Sequence, residues 1–344
     1  LGDVYKRQVT VSVDVPLGFT ARYEINTGGN STARVLDPSP ASTEYTVPLT
    51  FSATTVFKVR LYDDSGVLLP GFIETNTYLI GEDHSVYTIS VSGKNNIITL
   101  LNGSINLYPT AHWEIFDETG TLITEVAGNL NKHGQDSWAY PHRGFDIFAR
   151  DETGYGGVME HKFFDQRDRT RFDRFIIRAA GDDNYPYENG GAHIRDAFVQ
   201  TWGHQSGLAM DHRSYRPCVV YFNGRYWGVY EIREKVVHKS YTSHYYGQDE
   251  DDLDYISYWG GRTIRYGSPA HWDNMMNFIE TNNMGIQSNF DQVDEAIDVT
   301  SWTDYVLFYN YIVSKDWNNY NSAWWRGRNP EGQVQKWKFI LWDM

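Results

Sequence analysis

Strict alternation of apolar and polar residues opens the interpretable part of this chain. Val9, Val11, Val13 and Val15 alternate with polar residues before Pro16-Leu17-Gly18 turns the backbone. Only an extended backbone places every second side chain on one face, so the segment is committed to a half-buried strand. Further short strands are expected at residues 21–25, 44–47, 56–61, 74–80 and 86–91, separated by turn-rich segments at 26–31, 37–42 and 63–66. Strands and turns at this spacing predict a small all-β sandwich over residues 9–92. Residues 1–8 read as the translated end of a transposon adapter used in preparing sequencing libraries, and are set aside from the fold.

Composition excludes more than it assigns. A chain of 344 residues is long enough for two or more domains and a large core. Its net charge of −14 argues against a broad nucleic-acid footprint, which needs a basic face. The aromatic share of 16% suits strands and large ring clusters. The single cysteine, Cys218, forbids an intrachain disulfide and sits in an apolar strand-like run, as a buried structural thiol does. No apolar run approaches the ~18 residues of a membrane span.

Residues 93–110 read as the connection to a second domain over 111–344. There the strand pattern resumes at 112–116, 145–150, 172–178 and 217–222. Asn223-Gly224 is a hairpin signal, and 227–232 supplies the return strand. Apolar residues at helical spacing mark 194–202, ending at Gly203, then 272–281 and 302–313. The second domain is therefore α+β.

The closing segment carries the chemistry. Asp316 follows an apolar helix, Asn321 comes five residues later, and Asp343 ends the apolar run that starts at Trp337. Phosphoryl-transfer sites of the protein-kinase type use these groups in this order: a base Asp, an Asn on one metal ion, and an Asp on the metals. On spacing alone, Asp316 capping a turn explains the pattern equally well.

Two resemblances add to this reading. Residues 22–29, 45–49 and 56–62 resemble the immunoglobulin-like module at the C-terminus of chitobiases. From about Trp113 onward, the chain resembles the CotH family of spore-coat-type atypical protein kinases. The blocks that carry this likeness are Phe175-Ile176-Ile177-Arg178-Ala179-Ala180-Gly181-Asp182-Asp183, Ile194-Arg195-Asp196, the hairpin from Tyr221 to Glu234, Asp316-Trp317 through Asn321, and Trp342-Asp343. The resemblance implies a multidomain chain: an immunoglobulin-like sandwich, then an α+β kinase-like domain that runs past Met344. It implies ATP and Mg²⁺ or Mn²⁺ as cofactors, and phosphoryl transfer to Ser or Thr of a protein substrate. Asp316 would be the catalytic base, and Asn321 and Asp343 the metal ligands. Arg143 stands where family members often carry a Lys, and would touch nucleotide phosphate.

Two further carboxylates stay open between roles. Asp196 would orient a phosphate-binding cation, or simply favour the first turn of its helix. Glu234 would line the nucleotide site or pair with Arg143, or form a surface ion pair with its neighbours Arg233 or Lys235. His193, His204 and His212 lack metal-ligand spacing, and the acidic run 249–254 reads as a solvated loop. Two rival functions remain: a non-catalytic pseudokinase acting as a cell-surface binding protein, and a carbohydrate-active or glycan-binding protein. The immunoglobulin-like module points to a secreted or surface location.

Overall fold

The computed structural model describes residues 8–28, 36–63, 72–103, 107–184 and 190–343. Residues 1–7 of the expected adapter segment, the turn residues 29–31 and 64–66, and Met344 lie outside these. The chain divides into two compact units, residues 1–193 with 216–233, and residues 194–215 with 234–344.

The first unit begins with β structure, as the alternation requires. One antiparallel sheet has the order Thr43–Glu44, Phe19–Asn26, Thr55–Asp63, Glu74–Tyr78, and a second pairs Val9–Val11 with Leu49–Phe51. Ala21, Phe51, Phe57 and Val59 form their shared core, and Val9, Val11, Val13 and Val15 all pack against it. The valine stripe thus keeps one face even where Val13 and Val15 lie beyond the paired strand.

The rest of the first unit is a closed barrel. Its strands run in the order Phe145–Ala149, Arg174–Arg178, Arg225–Arg233, Tyr215–Phe222, Tyr87–Gly93, Thr110–Phe116, Leu122–Lys132. Closure leaves no free edge, and inward side chains such as Ile89, Trp113, Phe145, Phe175, Val220 and Ile232 are fully buried. Cys218 is among the buried residues, and burial pushes its thiol well up, so it stays protonated and inert.

Two expectations change here. The strand assigned to the end of the N-terminal sandwich belongs to the barrel: Tyr87–Gly93 pairs parallel with Tyr215–Phe222 and antiparallel with Thr110–Phe116. Its apolar alternation suits either sheet, and the partner that decides is far away in sequence. The expected linker also holds a helix, α1 (Asn95–Leu101), whose Ile97 and Leu100 are buried in the barrel core. The strand Glu74–Tyr78 reaches the barrel through Thr77. Its N–H donates to Glu114 Oε1 at 2.9 Å, and its hydroxyl lies 2.7 Å from Ser90 Oγ.

The second unit packs helices α2 (Arg195–Gln205), α3 (Lys239–Tyr246), α4 (Ala270–Thr281), α5 (Gln287–Ala296) and α6 (Val299–Tyr311) with an antiparallel sheet. The sheet order is Arg262–Tyr266, Leu253–Tyr258, Ser322–Gly327, Lys338–Ile340. Asp298 caps α6 by accepting from the Ser301 N–H at 3.0 Å. Tyr305, Phe308 and Tyr309 on α6 meet Trp324 and Phe339 of the sheet, and Trp337 just before its last strand, in one aromatic core. Gly203, expected to stop α2, lies inside it. A Cβ there would come within 3.0 Å of the His212 ring and 3.2 Å of Leu341, so the glycine serves close packing. The acidic run is solvated except for its last member: Asp254 is buried and paired with Arg326 at 2.9 Å.

Candidate functional site

Asp316, Asn321 and Asp343 line one cleft of about 460 Å³ in the second unit. Two chain segments bring them there. The first is the loop from the end of α6 to the strand Ser322–Gly327. Helix α6 is closed by Val313, which takes φ +54°, a left-handed value that costs a β-branched residue dearly. The loop then turns through Asn318 at φ +67° and Asn321 at φ +52°, conformations that Asn tolerates. The Tyr320 N–H donates to the Asp316 carbonyl at 3.0 Å, which closes the turn that leads from Asp316 towards Asn321. Trp317 points inward, with its ring 5.8 Å from Tyr305 and 5.6 Å from Tyr309. Asp316, beside it, is exposed to solvent.

The second segment follows the strand Lys338–Ile340. Gln200 on α2 is fully buried, and its Nε2 donates to the Leu341 and Trp342 carbonyls, each at 3.1 Å. Its Oε1 accepts from the Arg213 N–H at 2.8 Å, so the amide is used at both ends. The Trp342 N–H donates to the Tyr309 hydroxyl at 3.0 Å. Tyr309 therefore touches both segments, through its ring and through its hydroxyl. Burial pushes its phenol well up, and the charges of Tyr305 and Asp343 add to the shift. Asp211 anchors the same strand from below. Its carboxylate accepts from Trp325 Nε1 at 2.7 Å and from Tyr246, and its backbone pairs with Phe339 and Leu341.

Two carboxylates and an amide oxygen form a hard-donor set that suits Mg²⁺ or Mn²⁺, which keep several ligands from water and phosphate. Among the described residues, no group of three His, Cys, Asp or Glu side chains forms a metal cage. The donor set fits an ion held partly by substrate oxygens. Arg195, at the first turn of α2, and Lys315 bring two cations to the same cleft.

The remaining expected site residues are not among those that line this cleft. Asp196 is fully buried in the first turn of α2. Glu234 is buried too, and accepts from Ser214 Oγ at 3.3 Å and the Tyr245 hydroxyl at 3.2 Å, so it is no surface ion pair. Arg143 belongs to the first unit. Its guanidinium donates to the Trp138 carbonyl at 3.0 Å and the Leu101 carbonyl at 2.5 Å, and lies over the Trp138 ring.

Gln200, Tyr309 and Asp211 were not legible as site residues. Each acts on backbone or rings distant in sequence, and no spacing signals that. No curated protein matches the sequence. The family model described as CotH kinase protein matches residues 130–344, from within the strand Leu122–Lys132 to the end of the chain. That span is more than half of the sequence and includes Asp316, Asn321 and Asp343, and the chain belongs to the CotH kinase protein family.

Proposed function

We propose that this chain transfers the terminal phosphoryl group of ATP to Ser or Thr hydroxyls of a protein substrate. One observation carries the reading: Asp316, Asn321 and Asp343, which the family resemblance marks as base and metal ligands, share a single cleft. Asp316 is exposed at its mouth, where an incoming hydroxyl can reach it. Its carboxylate takes the hydroxyl proton as the new P–O bond forms and the bond to the departing ADP breaks. Asn321 and Asp343 would hold Mg²⁺ or Mn²⁺, and the ion would supply neutralisation of charge on the phosphate oxygens. Arg195 adds a fixed cation on the same wall. Gln200 and Tyr309 position Asp343 and do not touch substrate.

The test is an autophosphorylation and substrate-phosphorylation assay with labelled ATP and Mg²⁺ or Mn²⁺. Incorporation by the wild type that Asp316→Ala abolishes supports the reading. No incorporation by the wild type, or equal incorporation by the variant, refutes it. The backbone carbonyls that occupy Arg143 favour a second reading, a pseudokinase that holds nucleotide without turnover. A thermal shift with ATP and metal, in the absence of any transfer, selects that reading.

A further inference from the structure

A second cavity, of about 660 Å³, lies within the first unit, where the N-terminal sheet meets the barrel. Its size is that of a small-molecule site, ~300–1,000 Å³. On one wall, the Asp37 carboxylate takes Lys58 Nζ on one oxygen and Lys94 Nζ on the other, both at 3.0 Å. Arg60 stands two residues beyond Lys58 on the same strand, and so on the same face. Lys58 and Lys94 therefore share one carboxylate, and Arg60 lines the same cavity.

The barrel supplies the opposing wall. Ser92 is 1% exposed and His112 is 5% exposed. The Ser92 hydroxyl and both ring nitrogens of His112 have no hydrogen-bond partner in the protein. Such groups are costly to bury unpaired, and an arriving donor or acceptor recovers that cost. Burial, and then the charge of Lys58, holds His112 down to about 3, and the Glu125 carboxylate lies 4.0 Å from its Nε2. Asp151 and Glu152 stand at the exposed rim and disfavour a second anionic group there.

We propose that this cavity binds a small phosphate-bearing molecule, with the phosphate between Lys58, Arg60 and Lys94 and hydrogen-bonded by Ser92. A phosphate offers more acceptor oxygens than the single Asp37 carboxylate, and can meet several of these donors together.

The test is calorimetric titration of the full chain with inorganic phosphate and with glycerol phosphate. EDTA is present throughout, so that metal-dependent binding at the acidic cleft does not contribute. Saturable binding is expected. Lys94→Gln and Ser92→Ala should each weaken it about tenfold, the worth of one charge-assisted hydrogen bond. Lys94 is mostly exposed, and Ser92→Ala removes an unpartnered hydroxyl, so neither variant puts folding at stake. The His112 ring resonances should move with occupancy in the wild type. Tighter binding of the ester assigns the remaining volume to its carbon skeleton, and equal binding assigns the site to free phosphate. No saturable binding of either probe overturns the proposal, as does equal binding by wild type and both variants.

Discussion

Glu114 makes the seam between the N-terminal sheet and the barrel sensitive to pH. It is 2% exposed, and burial, reinforced by the charges of Glu125 and Glu74, pushes its carboxyl from the ordinary 4.5 up to about 7, against the hydrogen bonds from Thr77. The folded state keeps this proton up to about pH 7, whereas the unfolded chain releases it near 4.5. Stability is therefore whole below pH 4.5, falls as pH rises through this window, and stays reduced above it. The shift corresponds to ~3 kcal/mol at about 1.4 kcal/mol per pH unit. His112 acts in the opposite sense, because it is held neutral down to about pH 3: its contribution is lost as pH falls from 6.5. The two slopes largely cancel in the wild type between pH 4.5 and 6.5, so the informative quantity is a difference between variants. Glu114→Gln keeps an acceptor for the Thr77 N–H and cannot ionise. In urea titrations followed by tryptophan fluorescence, the variant should gain ~3 kcal/mol on the wild type between pH 4.5 and pH 8. A difference constant over that range would refute the argument.

Gln200→Leu leaves two buried backbone groups and one half-buried one unpaired and should cost ~3 kcal/mol. A urea-measured loss below ~1 kcal/mol would mean that the segment before Asp343 is held by other contacts. Gly203→Ala should destabilise by a net ~1 kcal/mol, seen as a lower melting temperature, although Ala is the better helix former by about that much. A rise would show that the His212 and Leu341 side chains yield freely. Val313→Gly relieves a left-handed valine on an exposed loop and should stabilise the second unit by ~1 kcal/mol. Unchanged stability in a chemical melt would show that the loop carries no strain.

What the sequence made legible was local. Asn223 and Gly224 both adopt positive φ, +52° and +80°, as their hairpin requires, because turn chemistry depends on neighbouring residues alone. The valine stripe was legible for the same reason. The strand Tyr87–Gly93 was recognised as a strand but given to the wrong sheet, since alternation does not name a partner. Helix α1 is too short for periodicity to reveal. The order of Asp316, Asn321 and Asp343 was visible, but the roles assigned to them came from the family resemblance, because a capped turn explains the spacing equally well. Gln200 and Tyr309 were not visible, because what they hold is backbone, and backbone carries no sequence signal.

The parallel pairing of Tyr87–Gly93 with Tyr215–Phe222 also sets a timetable for the nascent chain. The Gly93 N–H meets its acceptor, Asn223 Oδ1, across a separation of 130 residues. At ~5–20 residues synthesised per second, one edge of Tyr87–Gly93 waits on the order of 10 s for its neighbour. The antiparallel neighbour Thr110–Phe116 emerges first and covers the other edge. During translation this half-covered strand is where a chaperone, or a second nascent copy, has its best chance to intervene.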